Sequence, residues 1–313
     1  MEETLGIVLP IFGVMALGWV FARRNMISEA GVSGIVNFVF FLAIPALLFR
    51  TLAGGAVQGA FDARLIAAYF SAALAHFGLC WLVSRFVFRN AAETNGLAAM
   101  AGTFSNLVLV GLPLVQRAYG EAGLVPLMLI IMVHSAILFT VTTLAVESGR
   151  NTGQGWARSL AGTVKSVFLN PIVIGALSGL AFGFTGFGLP EVIDETLALL
   201  GKAAAPVSLF AVGATLATCR IAGDMREALV VTVLKLAMLP ALVWVSAALV
   251  FDLRPDWVTV AVLAAAMPAG ANVYVFARKY NAYVNRATAV VLVSTLVSVV
   301  TLTVLLATLP APG

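Results

Sequence analysis

Two short runs bring together residue types that could hold a small ligand inside an otherwise apolar chain. The first is Ser105-Asn106-Leu107-Val108-Leu109-Val110-Gly111-Leu112-Pro113-Leu114, and the second is Ala266-Met267-Pro268-Ala269-Gly270-Ala271-Asn272. Each puts glycine and proline in the middle of a segment that otherwise reads as a helix. Proline removes an amide hydrogen and crowds the preceding turn, so the helices carrying Pro113 and Pro268 are expected to break. The carbonyls and amides left bare cannot be satisfied by lipid and are tolerated where they line a hydrated site. The positive end of a half-helix facing such a site attracts a carboxylate. Asn106 and Asn272 sit beside the breaks and can both donate and accept, which suits a carboxylate as well as bare backbone. The runs therefore predict a small-anion site at Asn106, Gly111, Pro113, Pro268, Gly270 and Asn272. Kinked, packed helices capped by the asparagines are the plainer alternative.

Other polar residues are weighed against ordinary packing. His76 and His134 titrate near neutral pH and lie in apolar stretches, where an ionisable group is a candidate for function. A neutral histidine bonded between helices is the alternative. Lys202 and Lys235 could offer a fixed charge to an anion, but snorkelling to the interface is expected of both. No Asp or Glu falls at the centre of a predicted span, so a carboxylate proton relay is not expected. Cys80 and Cys219 have no Cys or His at metal-ligand spacing, which predicts neither a disulfide framework nor a metal site. Gly31-Val32-Ser33-Gly34 has the form used by intramembrane serine proteases, but Ser33 falls in a predicted loop and no base is specified for it. There is no Walker sequence, so the chain is not expected to use ATP or to be an enzyme.

These residues must be positioned by membrane helices. Of 313 residues, 61% are hydrophobic and 10% charged, more apolar side chain than a soluble fold of this size readily hides. Apolar stretches long enough to cross about 30 Å of hydrocarbon recur throughout. Ten are read, near residues 5–22, 34–53, 63–88, 94–118, 122–146, 163–186, 192–217, 227–250, 256–278 and 284–309. The first is preceded by Glu2 and Glu3 and followed by Arg23 and Arg24, which marks it as a retained helix and not a signal peptide. Basic residues alternate between successive loops. One side holds Arg23, Arg24, Arg85, Arg89, Arg150, Arg158, Lys165, Arg220, Arg226, Arg278, Lys279 and Arg286, against Arg50, Arg64, Arg117 and Arg254 on the other. By the positive-inside rule both termini face outward across the cytoplasmic membrane. Orientation and contact with anionic membrane lipid account for the formal net charge of +4, and no nucleic-acid partner is expected.

The chain also repeats itself at an offset of 161 residues. Pro10 and Ile11 match Pro171 and Ile172, Gly18 matches Gly179, Pro45 matches Pro206, and Leu48 and Phe49 match Leu209 and Phe210. Five helices per half is an odd number, so the second copy enters the membrane from the opposite side. The predicted fold is an all-α integral membrane protein with ten transmembrane helices. These form two inverted five-helix repeats, 1–148 and 163–313, joined by a cytoplasmic linker over 149–162, with the fourth and ninth helices broken. Inverted repeats are a recurring plan of secondary transporters.

Asn106-x4-Gly111-Leu112-Pro113-Leu114 followed by Ala118-Tyr119-Gly120, and Met267-Pro268 through Gly270, Val275-Phe276-Ala277 and Tyr280, resemble the auxin efflux carrier family. The resemblance covers nearly the full chain, including Gly18–Ile27 and the Phe41–Phe49 segment. The long central hydrophilic loop of the plant members is missing, as in the bacterial branch, whose members are assigned to malonate and similar carboxylates. The resemblance implies a scaffold domain of helices one, two, six and seven and a transport domain of helices three to five and eight to ten. It also implies helices four and nine crossing at their prolines, Asn106 contacting the substrate carboxylate, elevator-like motion and a homodimer. It permits a uniporter without cofactors. Related sodium symporters instead use hydroxyl and backbone oxygens, for which Thr103, Ser105 and Thr215 are the candidates here, with His76 as a candidate for proton coupling.

Overall fold

A computed structural model describes residues 2–55, 62–150, 161–162, 164–165, 167–218 and 225–309. Cys219, Arg158, Arg220 and most of the expected linker over 149–162 lie outside the described residues. The described chain is helical, with one isolated bridge between extended segments, Ser105 to Ala269.

The helices are α1 (Glu2–Arg23), α2 (Glu29–Ala53), α3 (Ala63–Val87), α4 (Ala92–Thr103), α5 (Leu107–Arg150), α6 (Pro171–Gly183), α7 (Glu191–Thr218), α8 (Met225–Val250), α9 (Pro255–Ala266), α10 (Asn272–Tyr280) and α11 (Val284–Thr308). Seven helices among the described residues are long and apolar enough to cross a membrane, and α6 and α9 are shorter apolar helices. α5 is divided at Gly120, whose φ of 59° and ψ of −153° are non-helical and open to glycine because it has no Cβ. Along α11, Leu296, Val300 and Val304 face outward while Ser294, Ser298 and Leu302 are buried. Large apolar side chains outside and small hydroxyls inside is the pattern expected where the solvent is lipid.

The chain packs as two units. The first comprises 1–62, 108–132 and 167–218, and the second 63–107, 133–166 and 219–313. In the first, α1 lies on α7 and α2 on α6 through glycines. A Cβ at Gly18 would run into the Phe210 carbonyl, and one at Gly179 would meet Phe49 backbone. Ring contacts follow the same exchange, with Phe21 on Phe210 at 5.7 Å and Phe182 on Phe49 at 6.0 Å. Each pair becomes the other when 161 is added to one member and subtracted from the other. Close backbone approach at small residues is a main source of helix association in lipid.

In the second unit, α4 and α9 are both 12 residues long, and their starts at 92 and 255 differ by 163. The turns before them share one conformation. The Phe88 amide bonds to Val83 and the Asn90 amide to Ser84, while the Phe251 amide bonds to Ser246 and the Leu253 amide to Ala247. Arg89 and Asp252 both have positive φ, 53° and 45°. All of these correspondences have the offset 163.

The break in the first run does not fall where Pro113 predicts it. The chain leaves helical geometry at Phe104 (φ −72°, ψ 110°), well before Pro113, which sits early in the helix that follows. There its missing amide spares the Leu109 carbonyl, which accepts a hydrogen bond from Ser208 Oγ at 3.2 Å. Pro10 is accommodated in the same way within α1, the Gly6 carbonyl accepting from Arg117 Nη2 at 3.1 Å. In both cases a side chain replaces the bond that proline removes.

Candidate functional site

The extended segments after α4 and α9 cross in the second unit. The Asn106 amide donates to the Pro268 carbonyl at 2.8 Å and the Gly270 amide to the Phe104 carbonyl at 3.1 Å. The Ala269 amide donates to Ser294 Oγ on α11 at 3.0 Å. The crossing thus satisfies part of the backbone that two broken helices leave bare, as a non-aqueous interior requires. Gly270 permits the approach, because a Cβ there would lie 2.9 Å from Cδ1 of Phe104. That ring stacks on Phe139 with centroids 5.2 Å apart, so it has little room to move.

Around the crossing the polar side chains are buried. Lys235, predicted to snorkel, does not do so: its side chain is 0% exposed, and Nζ donates to the Ala265 carbonyl at 2.6 Å and to Ser105 Oγ at 2.9 Å. The carbonyl at the end of α9, freed by the break at Pro268, is what turns the lysine inward. His76 Nε2 lies 3.0 Å from the Leu234 carbonyl and Nδ1 lies 3.1 Å from Thr103 Oγ1. The carbonyl can only accept, so Nε2 carries the proton and Nδ1 accepts from the threonine. His134 packs its ring on Phe104 at 4.7 Å. Its imidazole and the Tyr69 hydroxyl are buried, the first against the Ser105 backbone and the second against the Ser105 side chain.

Asn106 and Asn272 differ from these neighbours in remaining partly exposed, while Ser105, Pro268, Ala269 and Gly270 are buried. Asn272 opens α10. Each asparagine thus keeps a partly exposed amide, and Asn272 does so at the start of a half-helix, groups that can donate to a carboxylate. The structure brings Asn106, Pro268, Gly270 and Asn272 together with Thr103, Ser105 and His76. Gly111 and Pro113 belong to the first unit, where Pro113 lines a narrow cleft with Gln116, Ala205 and Ser208. Thr215 is also in the first unit and bonds to the Ala211 carbonyl of its own helix at 2.8 Å. Lys202 is exposed.

Sequence reasoning overlooked the Tyr69 hydroxyl, the Ala265 carbonyl and Ser294 as parts of this region. Only the repeated proline break hinted at a carbonyl acceptor. A serine beside a lysine can support hydrolysis, but Ser105 is 1% exposed and its hydroxyl is held between Lys235 and Ala265.

The family described as "Membrane transport protein" matches residues 4–306. The chain is 31% identical over 306 residues to a Rhizobium meliloti protein named "Putative malonate transporter", covering 98% of this chain and 96% of that one. It is 29% identical over 304 residues to "Uncharacterized transporter YfdV" of Escherichia coli, covering 95% of each. It is 24% identical over 329 residues to "Auxin efflux carrier component 8" of Arabidopsis thaliana, covering 87% of this chain and 88% of that protein.

Proposed function

The chain belongs to the membrane transport protein family, that of the auxin efflux carriers, and from that premise we propose that it carries a small organic anion, malonate or a similar mono- or dicarboxylate. It is a multi-pass membrane transporter and not an enzyme. The observation that carries the substrate class is the crossing itself: Asn106 and Asn272 stay accessible where two helices stop and the surrounding polar groups are buried. The relative named for malonate supports that choice among carboxylates.

The reading has ten transmembrane helices in two inverted repeats. α5 has 44 residues, about 66 Å at 1.5 Å per residue, close to twice the bilayer's hydrocarbon thickness of about 30 Å. With its break at Gly120 it supplies two crossings, the earlier one shared with α4, while α9 and α10 together supply another. The exchanged contacts at offset 161 and the matched turns at offset 163 support the repeat. Alternating access would be elevator-like, with helices one, two, six and seven as scaffold and three to five and eight to ten as transport domain; α1, α2, α6 and α7 pack in one unit, which supports the scaffold, although 108–132 from helices four and five packs with them. In this reading both termini lie outside the cytoplasmic membrane, which the alternating loop charge supports.

The test is uptake of labelled malonate and its neighbours into proteoliposomes. Saturable uptake that falls at least tenfold in Asn106→Ala is expected. Failure to move any carboxylate would turn the assignment to another class of solute.

A further inference from the structure

Lys235 is buried without a counter-ion. Among the described residues, carboxylates pair with Arg50, Arg150, Arg254 and Arg286, and none pairs with Lys235. Its Nζ is bound instead by a backbone carbonyl and a hydroxyl. Ala265 lies in the last turn of α9, and Ser105 lies two residues beyond the end of α4. The amino group therefore sits where two helices end, each with a carbonyl pole equivalent to roughly half a negative charge. Interrupted helices that end in this way commonly bind a coupling cation through unwound carbonyls and C-terminal ends. The oxygens that sequence reasoning offered to sodium are already engaged: Ser105 by Lys235, Thr103 by His76, and Thr215 by its own helix.

We propose that the Lys235 ammonium is a built-in cation that takes the place of a coupling metal ion at the crossing, so that this transporter works without sodium. The proposal rests on the crossing as the transport site, and it divides the crossing into two poles. Lys235 meets the carbonyl end of α9 at Ala265 and the Ser105 hydroxyl just beyond α4, while Asn106 and Asn272 serve the substrate anion.

The experiment uses detergent-purified, substrate-free protein, so that a wrong substrate class leaves its result readable. Wild-type thermal midpoints are compared in sodium, lithium, potassium and choline chlorides at equal ionic strength, and are expected to coincide. Lys235→Ala is expected to melt lower and to be partly restored by n-propylammonium, which replaces the deleted group, but not by n-propanol, which replaces its volume alone. A sodium- or lithium-specific rise in the wild type overturns the proposal. So does n-propylammonium acting no better than n-propanol. If Lys235→Ala does not fold, Lys235→Met keeps the length without the charge, and a midpoint equal to wild type in that variant overturns the proposal as well.

Discussion

Two fully buried ionisable side chains lie eight positions apart on α8 and are held in opposite ways. Glu227 at the start of the helix is 0% exposed and is enclosed by partners. Asn90 Nδ2 donates to it at 2.7 Å and Tyr283 Oη at 3.1 Å, and Arg286 Nη1 forms an ion pair with it at 2.9 Å. The Arg286 guanidinium also reaches Asn90 Oδ1 at 2.6 Å, and Asn90 reaches Ser84 at 3.0 Å. Burial first, then the Glu227 carboxylate, pushes the Tyr283 phenol well above its ordinary pKa, so it stays a donor. Lys235 is as deeply buried but has only the ends of broken helices for partners. A charge closed by an opposite charge ties the ends of α3, α8 and α11 together. A charge closed by interrupted backbone exists because the backbone is interrupted, and in lipid that interruption is tolerated for function.

The sharpest way to break this contrast is at its structural pole. Glu227→Ala leaves Arg286 without its buried partner and should destabilise the protein by about 3–5 kcal/mol, read as a large drop in the thermal midpoint. An unchanged midpoint would remove the distinction. At the functional pole, Lys235→Met should cost less, about 1–3 kcal/mol for the unpaired carbonyl and hydroxyl, yet abolish most uptake. A variant that lost stability but kept uptake would make Lys235 a second structural charge. Gly270→Ala should cost about 1–3 kcal/mol by overpacking against Phe104, with lowered uptake, and full activity would show that the crossing can spread. Arg254→Ala provides the baseline. Its ion pair with Asp256 is on the surface, and its loss should shift stability by no more than about 0.5 kcal/mol.

How much of this could be read from the sequence depended on how far apart the partners lie. Apolar runs and alternating loop charge are local signals, and they led to helices and membrane, while the motifs Asn106–Leu114 and Met267–Tyr280 carried the family resemblance. The breaks were legible as a pair, but Pro113 misplaced the first one, since a proline early in a helix is as acceptable there as it is disruptive in the interior. Lys235 was expected at the interface because its partners are 30 and 130 residues away and one of them is a backbone carbonyl. Glu227 opens the predicted stretch 227–250, and nothing in its neighbours announces Arg286 or Asn90. The fourth and ninth helices were legible as counterparts from their breaks, but their offset of 163 was not, because Ala92–Thr103 and Pro255–Ala266 share a backbone course with little shared side-chain chemistry.

The central claim, that the crossing binds a small carboxylate through Asn106, is tested most directly by ligand-dependent stability. A ligand that binds only the folded protein stabilises it by about 2.7 kcal/mol at a hundred times its Kd. Detergent-purified wild type should show a rise in thermal midpoint with malonate or a close carboxylate, and Asn106→Ala, measured against its own ligand-free midpoint, should show none at the same concentration. An equal rise in both proteins, or no rise in the wild type with any carboxylate, would contradict the account.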